Sequence, residues 1–282
     1  MTKAVSIAVI GSINLDVVAQ VNEFPLPGET VTNARVIRCP GGKGANQALA
    51  AHRLGASVFM VGRVGNDTMA NEALYNLRKE GVDLSYCKPL DDFPTGLALI
   101  TVNHAGENQI VVAPGANARF DAQQLDLPLT DAYIAQLEIP MPTILKAARN
   151  HENFFCLNAA PAKPVSHELL QHVDLLVVNE IEARALGEEL DLYEGLLAST
   201  FGARGAVLSH KGVEIARAHP PAVTVVDTTG AGDAFTAALT FALVRGLNPQ
   251  DALQYACTVG ALATTGMGAQ SSPTQEQVQQ LT

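Results

Sequence analysis

Short apolar runs that read as strands alternate with longer segments of helical periodicity through most of this chain. Residues 6–10, 57–61, 175–178 and 206–208 are strand-like. Three helical patterns each stop at a glycine: 45–54 at Gly55, 69–80 at Gly81 and 234–245 at Gly246. Residues 181–186 add a short helix, and about 251–264 a final long one. Parallel strands need a crossover connection, and here each crossover can be a helix. The expectation is an α/β doubly wound fold, a mostly parallel sheet with helices on both faces. With 282 residues, 48% of them hydrophobic, the chain can bury such a core as a single domain over 1–282.

Two inserted stretches, at about 15–39 and 95–113, break this rhythm. Residues 30–36 and 97–102 alternate with period two, and the second run turns at 103–107 into 109–112 as a hairpin. They are expected to form the antiparallel strands of a small β-sheet lid over one edge of the core. The Gln-rich segment 273–282 reads as a surface helix.

The formal net charge of −10 and the lack of a basic block argue against nucleic acid as a partner. No run approaches the ~18 apolar residues that a membrane span needs. The N-terminus reads as a buried first strand rather than a signal peptide, so the expected compartment is cytoplasmic. Cys39, Cys87, Cys156 and Cys257 form no C-x-x-C pair and read as reduced thiols. Seven scattered histidines give no H-E-x-x-H zinc motif.

Residues 227–235 read Asp-Thr-Thr-Gly-Ala-Gly-Asp-Ala-Phe. The apolar run 222–226 is expected as the strand leading in, with a helix from Ala234. Gly230, Ala231 and Gly232 then offer unpaired N–H groups to an anion at the helix N-terminus. A carboxylate at that place repels phosphate, but Asp233 makes sense as a base that deprotonates a hydroxyl attacking a phosphoryl group. It also reads as an ordinary first-turn helix acid.

Asn14 and Asp16 follow the first strand, where open α/β sheets place ligands, and suit a polyol; an Asx-type turn is the alternative. In Pro40-Gly41-Gly42-Lys43-Gly44-Ala45-Asn46-Gln47, the glycines let backbone approach a ligand and Asn46 bonds both ways. The spacing is neither a Walker A loop nor a dinucleotide fingerprint. Lys43 reads first as solvent-facing, with a ligand contact as the alternative. Asn179 and Glu182 have capping-box spacing, and could equally organise Mg²⁺ and its waters around ATP phosphates.

With these motifs in this order, the chain resembles the ribokinase-like PfkB family of carbohydrate kinases over nearly its whole length. Residues 41–46 and 227–235 carry the resemblance. Residues 11–16, Pro25-Leu26-Pro27-Gly28-Glu29-Thr30, Gln136-Leu137-Glu138 and Asn158-Ala159-Ala160-Pro161 resemble the ribose-phosphorylating branch in particular. The resemblance implies transfer of the ATP γ-phosphoryl to O5 of D-ribose, with Asp233 as base and Gly230, Ala231 and Gly232 as anion hole. Asn14, Asp16, Gly42, Lys43, Gly44, Asn46, Glu138 and Asp233 match sugar positions, and Asn179 and Glu182 an N-x-x-E motif for Mg²⁺ and phosphate. A K⁺ site is implied at Asp227, Thr229, Ala263, Gly266, Gly268 and Ser272, and a homodimer through the lid.

The family also has a Thr-(Leu/Lys/Met)-Gly-x-x-Gly loop at the adenine pocket. Here the expected place is 207–212, two residues short and lacking the first glycine, so Ser209, His210, Lys211 and Gly212 are the nucleotide-loop positions together with Gly232. Residues 186–204 and 120–135 also look short, implying a thinner helix layer. Deoxyribose or another family sugar or nucleoside is the alternative substrate. A non-catalytic sugar-binding regulator is the reading from another class, and the short 209–212 loop is its support.

Overall fold

The computed structural model of the protein describes residues 4–281; the readings of the first three residues and of Thr282 lie outside them. In chain order the strands are β1 (Ser6–Ile10), β2 (Asn14–Gln20), β3 (Arg35–Gly41), β4 (Ser57–Gly65), β5 (Cys87–Leu90), β6 (Gly96–Val102) and β7 (Asn108–Ala113). They continue with β8 (Ala132–Gln136), β9 (Phe154–Asn158), β10 (Leu175–Asn179), β11 (Leu196–Thr200), β12 (Ala206–His210) and β13 (Val213–Ala218). The helices are α1 (Lys43–Arg53), α2 (Thr68–Ala73), α3 (Tyr75–Glu80), α4 (Met141–Asn150) and α5 (His167–Leu170). After them come α6 (Glu180–Leu186), α7 (Glu188–Asp191), α8 (Ala231–Val244), α9 (Pro249–Ala263) and α10 (Gln275–Gln279).

The main sheet runs β13-β12-β11-β10-β9-β8-β1-β4-β5. All neighbours from β11 to β5 are parallel, as expected from the alternating sequence. Strand side chains alternate between faces, and both faces of β1 are covered, so its sequence is continuously apolar. Ile7 and Val9 join Leu49 of α1, Phe235 of α8 and Val259 of α9 in one core. Ala8 and Ile10 pack in a second core with Ile144 of α4, Leu169 of α5 and Leu186 of α6. Between β10 and β11 only the short α6 and α7 cover this face, which matches the thin layer read from the sequence.

The second sheet, β3-β2-β6-β7, is the lid. Its β6–β7 hairpin forms as expected, and β2–β3 is antiparallel. The central β2–β6 pair is parallel, against the expectation of antiparallel strands throughout. Residues 30–34 are not strand. The extended run is interrupted by Asn33 in the left-handed region (φ 69°), and pairing starts only at Arg35.

Two other elements differ from the sequence reading. The helix expected over 69–80 is two helices, separated at Leu74 (φ −90°, ψ 0°). Leu74 N–H still bonds Ala70 O, and Arg78 N–H bonds Leu74 O, so the break is a local change of ψ. The run 222–226 is irregular and largely exposed. Its end is held through Val226 and Asp227 N–H to Thr264 O, not by a neighbouring strand, so it lacks the ladder that would make it one.

The site is positioned by backbone packed on backbone. Ala45 N–H at the start of α1 donates to Ser12 O in the β1–β2 turn. A Cβ on Gly44 would lie 2.7 Å from the Gly11 carbonyl carbon and from Ser12 N and O. Gly44→Ala is therefore expected to cost about 1–3 kcal/mol or more, lowering Tm by roughly 2–4 °C per kcal/mol. Thermal unfolding followed by circular dichroism checks this; an unchanged Tm would contradict the packing.

Candidate active site

The carboxyl ends of β1, β8, β9, β10 and β11 converge on the first turns of α1 and α8, the end of an open sheet where ligands bind. A cavity of about 220 Å³ lies there, lined by Lys43, Asn158, Val178, Asn179, Glu182, Thr200, Gly230, Gly232 and Asp233, with Ala160 and Val177. A larger cleft of about 610 Å³ opens at the other end of the strands, near Val5, Leu54 and Arg245. The smaller cavity gathers the reactive groups and is the candidate site.

Gly230 caps α8 in the left-handed region (φ 79°), and a Cβ there would meet Ala269 O at 2.2 Å. Ala231 N–H bonds Thr228 O at 3.3 Å, whereas Gly230, Gly232 and Asp233 N–H have no acceptor among the described residues. These are orphan donors of a helix N-terminus, next to the positive end of its dipole. Nothing lies within 4 Å of a Cβ built on Gly232, so its position borders open cavity space. An anion can approach these amides there. Ala231 is the weakest of the three expected contributors, since its N–H is already in use.

Asp233 is buried in the first turn of α8. Two amides of α1 hold it: Asn46 Nδ2 donates to Oδ2 at 2.9 Å and Gln47 Nε2 to Oδ1 at 2.8 Å. The first-turn-acid reading is correct as geometry, but these side-chain donors give the carboxylate a fixed orientation beyond what a helix dipole supplies.

The positions that the resemblance assigns to sugar binding come together around the β1–β2 turn. Glu138 Oε2 accepts from Ser12 Oγ at 2.5 Å and from Lys43 N at 3.2 Å. Asn14 Oδ1 accepts from Asn117 Nδ2, whose oxygen in turn accepts from Ile13 N. Asp16 sits at the start of the lid, 8% exposed, against Gly41. No hydrogen bond reaches its carboxylate among the described residues. Burial first, then Glu138 and Asp233, push it up to about 7. Gly42 caps α1 at φ 88°. Lys43 is a correction to its solvent-facing reading: it is partly buried and lines the cavity. Asp233 above all, then Glu138 and Glu182, hold its ammonium above the ordinary value against opposing burial.

Asn179 and Glu182 form the full capping box of α6. Asn179 Oδ1 accepts from Ile181 and Glu182 N–H, while Glu182 Oε2 and Oε1 accept from Asn179 N and Nδ2. Both residues also line the cavity, and burial holds Glu182 above the usual carboxylate range. The structural and ligand readings therefore coexist in one motif.

Ser209, His210, Lys211 and Gly212 require a larger correction. β12 is antiparallel to β11, with Ala206 opposite Thr200 and His210 opposite Leu196. Residues 209–212 thus lie at the far end of the strands, in a hairpin whose turn residues Lys211 (φ 51°) and Gly212 (φ 73°) both have positive φ. The family's T-x-G-x-x-G pattern stands instead, unshortened, at Thr200-Phe201-Gly202-Ala203-Arg204-Gly205. Thr200 lines the cavity and donates to Val178 O, and Arg204 pairs with Glu180 at 2.6 Å. The intact spacing was readable in the sequence. The strand that precedes the loop is Leu196–Thr200 rather than 206–208.

At the implied cation positions, Asp227 joins two loops. Its carboxylate accepts from Thr229 N and Oγ1 and from Gly268 N. Burial opposes ionisation most strongly, but these three donors together keep Asp227 below the usual carboxylate range. Ala263 O already accepts from Ser271 Oγ, and Ser272 O from Arg53 Nη1. The carbonyls of Thr229, Gly266 and Gly268 accept no hydrogen bond among the described residues.

The model of the pfkB family of carbohydrate kinases matches residues 4–276. The chain belongs to this family. It is 39% identical to a ribokinase of Bacillus subtilis, over 98% of this chain and 99% of the relative. A solved ribokinase of Thermotoga maritima superposes with a TM-score of 0.88 at 32% identity, covering 98% of each chain. An Arabidopsis thaliana ribokinase, solved with ribose and ATP, gives 0.87 at 29% identity, covering 99% of each chain.

The raised Asp16 gives a signed expectation. Between about pH 4 and pH 7 the folded chain binds a proton that the unfolded chain has lost, so this group's contribution to stability falls as pH rises. Asp16→Asn is expected to match the wild-type Tm near pH 4 and to exceed it by several degrees at pH 8. Paired melting curves at the two pH values check this; a variant less stable than wild type at pH 8 would contradict it.

Proposed function

We propose that the protein transfers the γ-phosphoryl group of ATP to O5 of D-ribose. The observation that carries this reading is Asp233, buried beside the orphan N–H groups of Gly230 and Gly232 at the N-terminus of a 14-residue helix. Asp233 Oδ2 takes the proton of the primary hydroxyl as that oxygen attacks phosphorus. The amides stabilise charge on the transferring group, which is the main catalytic demand in phosphoryl transfer. Asn14, Asp16, Gly42, Lys43, Gly44, Asn46 and Glu138 form the sugar pocket. Thr200 to Gly205 flank the nucleotide, in place of the loop sought at 209–212. The regulator reading loses its support with that relocation.

The pocket's charge supports cation dependence. Asp16, Glu138, Glu182 and Asp233 concentrate negative charge here, and the Lys43 ammonium is set against three of them, so a polyphosphate needs cations to enter. Asn179 and Glu182 fit Mg²⁺ held through its water shell, since their oxygens already serve the cap. Mg²⁺ supplies charge neutralisation on the phosphates. Asp227 and the carbonyls of Thr229, Gly266 and Gly268 fit K⁺, with Ala263 and Ser272 contributing only their second lone pairs. The exposed apolar lid residues Val36, Leu99, Ile110, Val111 and Val112 support pairing of two lids in a homodimer.

The test is ATP–Mg²⁺-dependent phosphorylation of ribose, deoxyribose, fructose, ketodeoxygluconate, adenosine and pseudouridine, with and without K⁺. Selective, K⁺-stimulated turnover of ribose is the expected result. Asp233→Asn is expected to remain folded and sugar-binding with kcat at least ~10²-fold lower. Ribose binding without any turnover in the wild type would return the case to the regulator.

A further inference from the structure

Asp233 has two carboxylate oxygens, and a base that presents either at random loses orientation in half of its encounters. The buried side chains behind it remove that choice. Gln47 and Gln136 are fully buried and Asn158 nearly so. Gln136 Nε2 donates to Gln47 Oε1 at 2.6 Å, and Gln47 Nε2 donates both to Asp233 Oδ1 at 2.8 Å and to Asn158 Oδ1 at 3.0 Å. The polarity of this chain is forced. An ionised carboxylate only accepts, so the nitrogen of Gln47 must face Asp233 and its oxygen must face a donor. Gln136 supplies that donor, and its own oxygen is left buried and unpartnered in the space that Gly11 leaves open. Asn158 is fixed in turn, because its Nδ2 donates to Val177 O.

The other oxygen is held differently. Asn46 Nδ2 bonds Oδ2, while Asn46 Oδ1 is buried without a partner. An amide with one unsatisfied atom gains by turning toward an incoming hydroxyl, which uncovers Oδ2. We infer that Gln47, anchored by Gln136, is a positioning residue that reserves Oδ1 of Asp233 and thereby assigns proton acceptance to Oδ2. Neither glutamine lines the cavity. Their effect acts through the orientation of one carboxylate, and so on kcat rather than on sugar affinity. The inference rests on Asp233 being the base.

The experiment compares wild type, Gln47→Met, Gln47→Glu, Gln136→Leu, the double variant Gln47→Met/Gln136→Leu, and Asp233→Asn. Steady-state kinetics and calorimetric ribose titration are measured for each. Gln47→Met is expected to lose kcat by roughly 10- to 100-fold, since small misplacements of a catalytic group cost that much. Its KM and Kd for ribose should stay within about 3-fold of wild type. Gln136→Leu should lose less, and the double variant no more than Gln47→Met alone, because both act through one contact. Gln47→Glu keeps the side-chain shape and sets a carboxylate against Oδ1; it should lose kcat at least as heavily, and it carries the comparison if the Met variant fails to fold. Wild-type kcat in either Gln47 variant, or parallel losses of kcat and sugar affinity, overturns the positioning role. Asp233→Asn separates the two levels: if it is inactive while Gln47 variants turn over normally, only this inference falls. A fully active Asp233→Asn removes the base assignment beneath it.

Discussion

The carboxylate of Asp233 at the mouth of helix α8 is the constraint around which the rest of the site is organised. A helix N-terminus attracts anions, and under the proposed function this one accepts a phosphoryl group while keeping a negative side chain within its own first turn. The two demands are compatible only if the carboxylate is turned aside and held. Asn46 and Gln47 of α1 hold it, so the N-terminal ends of α1 and α8 must meet. That meeting requires α1 to lie directly on the β1–β2 turn, which glycines at 11 and 44 permit. Residues almost 190 apart in sequence thus share one geometric requirement, and the sheet order places both helices on the same face to satisfy it.

The pocket concentrates carboxylates that disfavour one another's ionisation. Burial above all, then the charges of Glu138 and Asp233, lifts Asp16 to about 7, while the ammonium of Lys43 faces Asp233, Glu138 and Glu182. Such strain is typical of a site whose charges are balanced only when ligands and their cations arrive. Asp16 belongs to β2, a lid strand that continues directly from the β1 turn. Under the proposed function the lid therefore contributes to sugar recognition itself and is more than a cover.

The doubly wound core was legible because strands buried on both faces are continuously apolar and the helices between them end at glycines. The start of α8 was legible because small residues precede a long helical pattern there. What was lost has physical causes. The run 222–226 is apolar enough for a strand, but no neighbouring strand offers it a ladder, so composition misled. Lys43 looked solvent-facing because sequence does not reveal that three carboxylates from distant segments surround it. The T-x-G-x-x-G loop at 200–205 is not evident because 196–200 and 206–210 are similarly apolar, and only the sheet pairing shows which strand leads into the loop. Gln47, Gln136, Asn117 and Asn158 carried no local signal: a buried amide becomes informative only when its partner is known.

The most direct test is a crystal structure of the protein with ribose, ADP and aluminium fluoride bound, Mg²⁺ and K⁺ being present. The account expects ribose O5 within about 3 Å of Asp233 Oδ2, Gln47 still on Oδ1, and the fluoride group facing the Gly230 and Gly232 amides. A sugar bound with O5 turned away from Asp233, or a fluoride group held away from the α8 terminus, would contradict it.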